Sequence, residues 1–312
     1  MSAPHILATG RCLPARVVTN EEISRRVDTS DEWVFSRTGI HERRFCTTET
    51  GVDLAEGAAR RALERAGIAP EEVGVCLVAT FTPHYATPST ACLLQQRLGL
   101  REDTVCFDLN AACAGFLYGL KTAHALLDGC ARPYALLVSS EVISRVTNME
   151  DRNTCVLFGD GAGAAVIRRE EDWTWHTVFG TRGGAEHIRT EGPGPDKAAI
   201  FMDGKPVFRF AVEVVEQSIH QLLQAEGCEL NDLDWVICHQ ANARIVDHVA
   251  KKLKAREGLF YKNMVRYGNT SAASIPIALD ELVDAGELKS GMRVLTVGFG
   301  GGLTWAGALL RW

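Results

Sequence analysis

One of the ten cysteines of this chain lies in a setting that suits a nucleophile. Cys113 stands in the run ACAGF (residues 112–116), between a predicted strand over 105–109 and a predicted helix over 115–128. A helix start presents unpaired N–H groups and the positive end of the helix dipole, and both favour a thiolate over a thiol. Small neighbours leave room for a substrate. We therefore predict that Cys113 is a nucleophile and that the other cysteines are small buried apolar residues.

Two further polar residues stand at predicted strand–helix junctions. His239 follows a predicted strand over 234–238 and precedes a predicted helix over 242–254, and Asn269 directly precedes a predicted helix over 272–284. The ends of the strands of a sheet commonly deliver catalytic groups. Asn269 alone would be typical of a cap or turn, and His239 alone could be a ligand, a catalyst or a cap. The three junctions together predict an active site.

The elements that must position these residues alternate between strands and helices, which predicts an α/β protein. Besides the strands over 105–109 and 234–238, strands are predicted over 73–80, 134–139, 154–158, 163–168, 293–298 and 304–311. The remaining helices are predicted over 53–66, 88–98 and 208–225. Glycines follow several predicted helices as C-terminal caps, at Gly67, Gly99, Gly129, Gly227 and Gly286.

A faint internal repeat relates the two parts of the chain. The run FGDGAGAA (158–165) is similar to FGGGLTWA (299–306), and each predicts a strand, a glycine turn and a second strand. The first run also matches a dinucleotide fingerprint, which requires a helix after the glycines. The following residues favour a hairpin, so we expect no dinucleotide site there.

Composition excludes several classes of protein. The chain has 46% apolar residues, a net charge of −6 and no long run of charge, so we expect neither a nucleic-acid nor a membrane partner. It shows no signal sequence and no apolar run of the roughly 18 residues that a membrane span needs. The scattered cysteines form no C-x-x-C pair, which predicts a reduced cytoplasmic protein without a disulfide framework or metal site.

Over nearly its whole length the chain resembles the β-ketoacyl-acyl-carrier-protein synthase III family of the thiolase superfamily. The resemblance rests on TSDEW (29–33), RTGI (37–40), ACAGF (112–116), FGDGAGAA (158–165), HQAN (239–242), GNTSAAS (268–274) and FGGGLTW (299–305). A close thiolase would offer a second catalytic cysteine, and a hydroxymethylglutaryl-type synthase a glutamate. The Cys–His–Asn set matches neither.

The resemblance implies a five-layered αβαβα fold built from two similar halves. We place the N-terminal half, which carries the cysteine, at 1–172, and the C-terminal half, which carries the histidine and asparagine, at 173–312. The repeat described above agrees with such a division.

The resemblance also implies a decarboxylating Claisen condensation of an acyl-CoA primer with malonyl-acyl carrier protein, which initiates fatty-acid synthesis. Cys113 would carry the acyl group, and the backbone N–H groups of Cys113 and Gly301 would bind the oxyanion of the acyl-transfer step. His239 and Asn269 would donate hydrogen bonds to the thioester oxygen of the malonyl group. No metal or redox cofactor is needed.

Binding residues follow from the same resemblance. It implies that the CoA nucleotide is held by Thr29, Trp33, Arg37 and Arg152. It implies that the carrier protein docks on Gln240, Ala241, Asn242, Ala243 and Arg244, at the start of a helix with a cationic face.

The acyl pocket departs from the family pattern. The resemblance implies a homodimer in which Thr87 reaches across the interface to the pocket floor, where acetyl-selective members carry a phenylalanine. The smaller threonine predicts a longer channel, lined also by Ile143 and Phe158, although Tyr85, Ile143 or Phe158 could close it.

Two other functions stay open at this point. A specialised relative of secondary metabolism could retain the same three residues and transfer the acyl group to a different nucleophile. A non-enzymatic partner subunit should lack the nucleophile or its donors, and this chain retains them. The length of the primer is not predicted.

Overall fold

The structure is a computed structural model that describes residues 2–171, 173–191 and 199–312. Its strands are β1 (Ser2–Cys12), β2 (Val17–Thr19), β3 (Glu42–Arg44), β4 (Val73–Ala79), β5 (Val105–Leu109), β6 (Tyr134–Glu141), β7 (Gly161–Glu171), β8 (Thr177–Gly184), β9 (Ile188–Thr190), β10 (Ile200–Met202), β11 (Trp235–Cys238), β12 (Arg293–Gly300) and β13 (Gly302–Arg311). Its helices are α1 (Asn20–Ser24), α2 (Asp31–Thr38), α3 (Gly51–Ala66), α4 (Thr90–Leu98), α5 (Gly115–Leu126), α6 (Gly204–Glu226), α7 (Ala243–Lys252), α8 (Met264–Tyr267) and α9 (Ser274–Asp284).

Two sheets form the framework. The first has the strand order β1-β7-β6-β4-β5, with β4 parallel to both β5 and β6 and with β7 antiparallel to its neighbours. The second has the order β11-β12-β13-β8, with β11 parallel to β12. Every residue of β4 is buried, as expected for a parallel strand that is covered on both faces.

Helices cover both sheets and fill the space between them. Helices α3 and α4 pack on the outer face of the first sheet, α5 and α9 lie between the sheets, and α6 packs on the outer face of the second. Helix α9 is buried at every position from Ser274 to Leu282, as expected of a helix enclosed on all sides. The layers are therefore αβαβα, and the predicted fold class is confirmed.

The two middle helices begin in the same way. A 3-10 turn over Ala112–Ala114 precedes α5, and a 3-10 turn over Ser271–Ala273 precedes α9. Their first residues have φ values of +45° and +50°, in the left-handed region that side chains other than glycine rarely adopt. In each turn an asparagine Oδ1 accepts the first backbone N–H: the Ala112 N–H donates to Asn110 Oδ1 at 3.1 Å, and the Ser271 N–H donates to Asn269 Oδ1 at 2.8 Å. The chain thus repeats one strained junction.

Buried charge ties α9 to the first sheet. The Asp280 carboxylate has no exposed surface and accepts from Arg11 and Arg65, each at 2.6 Å, and from the Thr9 hydroxyl at 3.0 Å. Removing one partner of such a buried pair commonly costs about 3–5 kcal/mol. This cluster fixes the helix whose first residue, Ser274, belongs to the site described below.

Most predicted elements lie within a few residues of the observed ones, but the strand predicted over 154–158 is wrong. These residues form a buried turn, in which the Cys155 N–H donates to Asp151 O at 3.0 Å and the Leu157 N–H donates to Thr154 O at 3.0 Å. The hairpin predicted around Gly159 is wrong for the same reason, because β7 pairs with β1 and β6 instead. A strand and not a helix follows the glycines, so the dinucleotide fingerprint has no structural support. The hairpin of β12 and β13 is confirmed.

Candidate active site

Cys113 lies where β5 turns into α5. Ala112 has a left-handed backbone conformation that turns the chain sharply. Cys113 then lies beneath strand β12, and 9% of its surface is exposed. A Cβ atom added at Gly300 would lie 2.9 Å from both Cys113 N and Cys113 Cβ. Only glycine permits this close approach of the two backbones. The short distance fixes the nucleophile against the end of β12.

The expected preference of Cys113 for the thiolate form is wrong. Burial raises the pKa of the Cys113 thiol to about 12, and the nearby Glu141 carboxyl adds to the rise, while the Ser271 hydroxyl lowers it. Helix α5 itself begins only at Gly115. The cost of burying a charge therefore favours the protonated thiol at Cys113.

Glu141 explains part of this environment. Its carboxyl has no exposed surface and accepts from the Thr82 hydroxyl at 2.6 Å, the Thr80 hydroxyl at 3.2 Å and the Thr82 N–H at 3.2 Å. Burial raises the pKa of Glu141 to about 8. These hydrogen bonds from Thr80 and Thr82 to Glu141 hold residues 80–82 in place beside the site.

His239 follows β11 as predicted and is 1% exposed. Its Nδ1 lies 2.7 Å from Ser274 Oγ, and the same oxygen accepts the Gln240 N–H at 3.3 Å. Burial lowers the pKa of His239 to about 3, so the ring is neutral near pH 7. Because the Ser274 hydroxyl has no other acceptor among the described residues, we infer that it donates to Nδ1, which leaves the ring proton on Nε2. His239 is then a neutral Nε2–H donor.

Asn269 is held at both its backbone and its side chain. Its N–H donates to Leu157 O at 2.8 Å, and its carbonyl accepts from the Gly159 N–H at 3.0 Å. Its Oδ1 accepts the Ser271 N–H at 2.8 Å. Since the oxygen of the amide is used in the turn, its NH₂ group is left to donate.

The end of β12 brings the three residues together. The ring of Phe299 packs edge-on against His239 at a centroid distance of 5.2 Å, and the next residue, Gly300, abuts Cys113. The turn that follows Asn269 packs against the turn that carries Cys113. The sequence-predicted Cys–His–Asn set is therefore assembled in one place, from both sheets.

A cavity of about 1070 Å³ opens onto Cys113, Ser271 and Gly301. The Thr304 hydroxyl lies 3.0 Å from both Ala111 O and Gly301 O, and so joins the two loops whose N–H groups were predicted to bind an oxyanion. His239 and Asn269 are 1% and 7% exposed and are not among the residues that line this cavity.

The residues predicted for the acyl pocket divide into three cases. Phe158 lines the cavity, together with Tyr85 and other apolar side chains. Ile143 is fully buried in the hydrophobic core and does not line the cavity, so the structure does not support its prediction as a pocket residue. Thr87 is exposed and does not line the cavity of its own chain.

The residues predicted to hold the nucleotide form one surface cluster. The guanidinium groups of Arg37 and Arg152 lie 5.8 Å and 4.8 Å from the centre of the Trp33 ring. The buried hydroxyl of Thr29 has no hydrogen-bond partner among the described residues. Since Arg152 contacts Trp33 directly, a purine can enter between them only if one of the two side chains moves.

The predicted carrier-protein segment splits between surface and interior. Gln240 is 1% exposed, and its amide donates to Cys238 O and accepts the Asn263 N–H, so its side chain cannot present itself to a partner. Asn242 caps α7 and donates to Arg37 O at 3.0 Å. Arg244 is exposed and lies over the Phe208 ring at 5.9 Å. Ala241 and Ala243 are partly buried.

Comparison with known proteins agrees with this geometry. The family models of 3-oxoacyl-[acyl-carrier-protein (ACP)] synthase III match residues 107–183 and, for its C-terminal part, residues 223–312. A β-ketoacyl-[acyl-carrier-protein] synthase III of Clostridium acetobutylicum is 43% identical, over 100% of this chain and 99% of its own length. The chain belongs to the β-ketoacyl-acyl-carrier-protein synthase III family. The predicted family and the predicted class of condensing acyltransferase are thereby confirmed.

Solved structures of synthase III relatives share the whole fold. A 3-oxoacyl-[acyl-carrier-protein] synthase III from Aquifex aeolicus is 40% identical, with a TM-score of 0.94 over 99% of this chain and 100% of that chain. A priming β-ketosynthase from a polyketide biosynthetic pathway is 36% identical, with a TM-score of 0.93 over 99% and 96% of the two chains.

The part of the chain that the structure describes shows neither a candidate metal site nor a membrane-spanning helix. Over that part of the chain, no group of three or more His, Cys, Asp or Glu side chains could hold a metal ion. No helix within the described ranges is long and apolar enough to cross a membrane.

Several site residues were not predicted from the sequence. Ser274, Phe299 and Thr304 lie inside motifs that carried the resemblance, yet their contacts depend on segments far apart in the chain. Ser271 also lies inside one of those motifs, whereas Glu141 lies in none, and the influence of both on Cys113 depends on burial beside it.

Proposed function

We propose that this synthase III condenses an acyl-CoA primer with malonyl-acyl carrier protein to give 3-ketoacyl-acyl carrier protein, with Cys113, His239 and Asn269 as its catalytic residues. The observation that carries the proposal is the end of β12, where Phe299 contacts His239 and Gly300 contacts Cys113. A nucleophile and a neutral donor are thus held by consecutive residues of one strand.

The first step transfers the acyl group to sulfur. Cys113 Sγ attacks the thioester carbon, the bond from carbon to the CoA sulfur breaks, and CoA leaves with the thiol proton. Negative charge develops on the carbonyl oxygen in the tetrahedral intermediate. The N–H groups of Cys113 and Gly301 donate to that oxygen, and Thr304 keeps their loops together.

The second step forms the carbon nucleophile. The malonyl thioester loses carbon dioxide, and charge moves to its thioester oxygen as an enolate. The His239 Nε2–H and the Asn269 NH₂ group donate to this oxygen, and each such donor lowers the barrier by about 3 kcal/mol. The enolate carbon then attacks the acyl carbon on Cys113, and the thiolate leaves.

We assign the substrate carriers to two neighbouring surfaces. The cluster of Trp33, Arg37 and Arg152 would bind the CoA nucleotide, because aromatic and guanidinium planes suit a purine. The Thr29 hydroxyl, which has no partner in the described part of the chain, would contact the same nucleotide. Arg244, on the exposed start of α7, would attract the acidic carrier protein. Arg244→Glu should raise KM for malonyl-acyl carrier protein and leave acyl-CoA uptake nearly intact.

We further propose a homodimer formed along β5, in the cytoplasm and without a cofactor. Strand β5 is an edge of the first sheet and exposes Val105 (45%) and Phe107 (36%), whose apolar surface a second copy would cover. Thr87 would then reach the pocket of the partner. The free cysteines agree with a reducing compartment. We place the boundary between the two halves at residues 172 and 173, between the last strand of the first sheet and β8.

The division of labour between the steps tests this proposal. His239→Ala should still form the acyl-enzyme from acetyl-CoA but lose condensation by roughly 100-fold. Equal loss of both steps would contradict the assignment. Condensation with a simple alcohol, an amine or malonyl-CoA in place of malonyl-acyl carrier protein would favour a specialised relative.

A further inference from the structure

Arg43, the middle residue of β3, is a fully buried cation. Among the described residues its guanidinium donates only to neutral oxygen atoms, to Asn20 Oδ1 at 2.7 Å, to Val156 O at 2.6 Å and to Val18 O at 3.3 Å. Within the described residues it forms no ion pair. A buried charge without an opposite charge destabilises a fold unless its hydrogen bonds compensate. The three hydrogen bonds of Arg43 join β3 to residues 18 and 20 on one side and to residue 156 on the other.

One of the bonds leads to Asn269. Val156, which accepts from Arg43, directly precedes the segment 157–159. Both backbone groups of Asn269 are hydrogen-bonded to this segment, through Leu157 O at 2.8 Å and the Gly159 N–H at 3.0 Å. Phe158 pairs with Asn269 as a parallel bridge. The position of Asn269 is therefore set by a segment that Arg43 anchors.

The stem of Arg43 packs against the same crossing. A Cβ added at Gly159 would lie 3.1 Å from Arg43 Cβ, and one added at Gly268 would lie 3.3 Å from it. Gly159 and Gly268 lie beside the crossing, one on each of the two segments. Arg43 therefore contacts the two segments from one side as well as bonding one of them.

The hydrogen bond from Arg43 to Asn20 leads to helix α2. Asn20 is 1% exposed, and its amide donates to Asp31 Oδ1 at 2.8 Å and to Ile40 O at 2.7 Å. Asp31 is the first residue of α2, so Arg43 is attached at this end to a second fixed element. The guanidinium thus links the start of a helix to the segment that is hydrogen-bonded to Asn269.

We propose that Arg43 is a positioning residue for Asn269 in the decarboxylation step. It acts by holding Val156 and the packed segment 157–159 against Asn20. The inference rests on the proposed function of Asn269 as a donor to the enolate. Arg43 itself touches no substrate.

Lysine cannot replace Arg43 in this role. The planar guanidinium reaches two acceptors with separate nitrogen atoms, Nη1 for Asn20 and Nη2 for Val156, whereas an ammonium group is a single point donor. Arg43→Lys keeps the charge and most of the stem. It should loosen the anchor of Asn269 without removing the catalytic side chains.

A double-mutant cycle tests the inference. Arg43→Lys, Asn269→Ala and the combined variant are each acylated with acetyl-CoA, and the preformed acyl-enzyme is mixed with saturating malonyl-acyl carrier protein in a single turnover. Arg43→Lys should slow condensation by roughly 10-fold and leave the acylation rate within about twofold. In the Asn269→Ala background, Arg43→Lys should have almost no further effect on condensation. Arg256→Lys, which removes donors to Leu233 O and Asp234 O far from the site, should leave both rates unchanged.

Three results separate the possible failures. Multiplying effects in the combined variant, or equal loss of acylation and condensation in Arg43→Lys, would overturn the role of Arg43. An Asn269→Ala variant that loses acylation as much as condensation would instead overturn the proposed function. If Arg43→Lys does not fold, Asn20→Ala removes one bond of Arg43 and should give a smaller loss of condensation that again vanishes in the Asn269→Ala background. A loss that persists in that background contradicts the inference.

Discussion

The hydroxyl of Ser274 should control which nitrogen of His239 carries the proton. In Ser274→Ala, His239 Nδ1 loses its partner at 2.7 Å, and the Gln240 N–H loses its acceptor at 3.3 Å. Each buried group left without a partner costs about 1–3 kcal/mol. The proton is then free to move to Nδ1, and this tautomer has no Nε2–H donor for the enolate.

Since one such donor is worth about 3 kcal/mol, we expect condensation to fall by roughly 10- to 100-fold. Acylation of Cys113 should change little, because the oxyanion donors of that step are backbone N–H groups. Single-turnover rates for the two steps measure the split, and ¹⁵N NMR of His239 reports the tautomer. Ser218→Ala is the matched control, since Ser218 is 1% exposed and its hydroxyl has no partner among the described residues. An unchanged condensation rate in Ser274→Ala, or an equal loss in Ser218→Ala, refutes the reasoning.

Three other outcomes follow from the geometry. Gly300→Ala places a Cβ 2.9 Å from the Cys113 backbone and should abolish acylation. Gly183→Ala is the control and should be fully active, because no atom of the described residues lies within 4 Å of its new Cβ. An active Gly300→Ala variant would contradict the close approach of the two backbones. Because burial raises the pKa of Cys113 to about 12, its alkylation by iodoacetamide should keep rising from about pH 7 to about pH 10, and a plateau near neutrality would disprove this. Burial lowers the pKa of His239 from 6.5 to about 3, so the unfolded chain takes up a proton that the folded chain cannot. Urea unfolding should therefore show stability falling below about pH 6.5, by up to about 1.4 kcal/mol per pH unit from this group, and His239→Gln should reduce that slope.

The three residues that we propose as catalytic could be picked out because local sequence marks them. Cys113, His239 and Asn269 each stand where hydrophobic periodicity changes from strand to helix, and small residues surround them. Their partners could not be predicted in this way. Ser274 contacts His239, and Phe299 contacts the same ring, only because two sheets and a buried helix bring distant segments together.

The errors in the sequence analysis have physical causes. The run TCVLF over 154–158 is apolar and partly β-branched, but a buried turn and a buried strand have the same composition, and periodicity cannot tell them apart. The left-handed conformations of Ala112 and Ser271 carry no sequence signal, since neither is glycine. The thiolate was expected from the helix start alone, whereas the pKa depends on burial, which only the packed structure reveals.

Formation of a thioester on Cys113 tests the central claim most directly. The protein is incubated with acetyl-CoA, digested under acidic conditions and analysed by mass spectrometry. One acetyl group should appear on the peptide that contains Cys113, should be lost when malonyl-acyl carrier protein is added, and should not form in Cys113→Ala. An acetyl adduct of equal yield in Cys113→Ala, or on another of the free cysteines, would contradict the account.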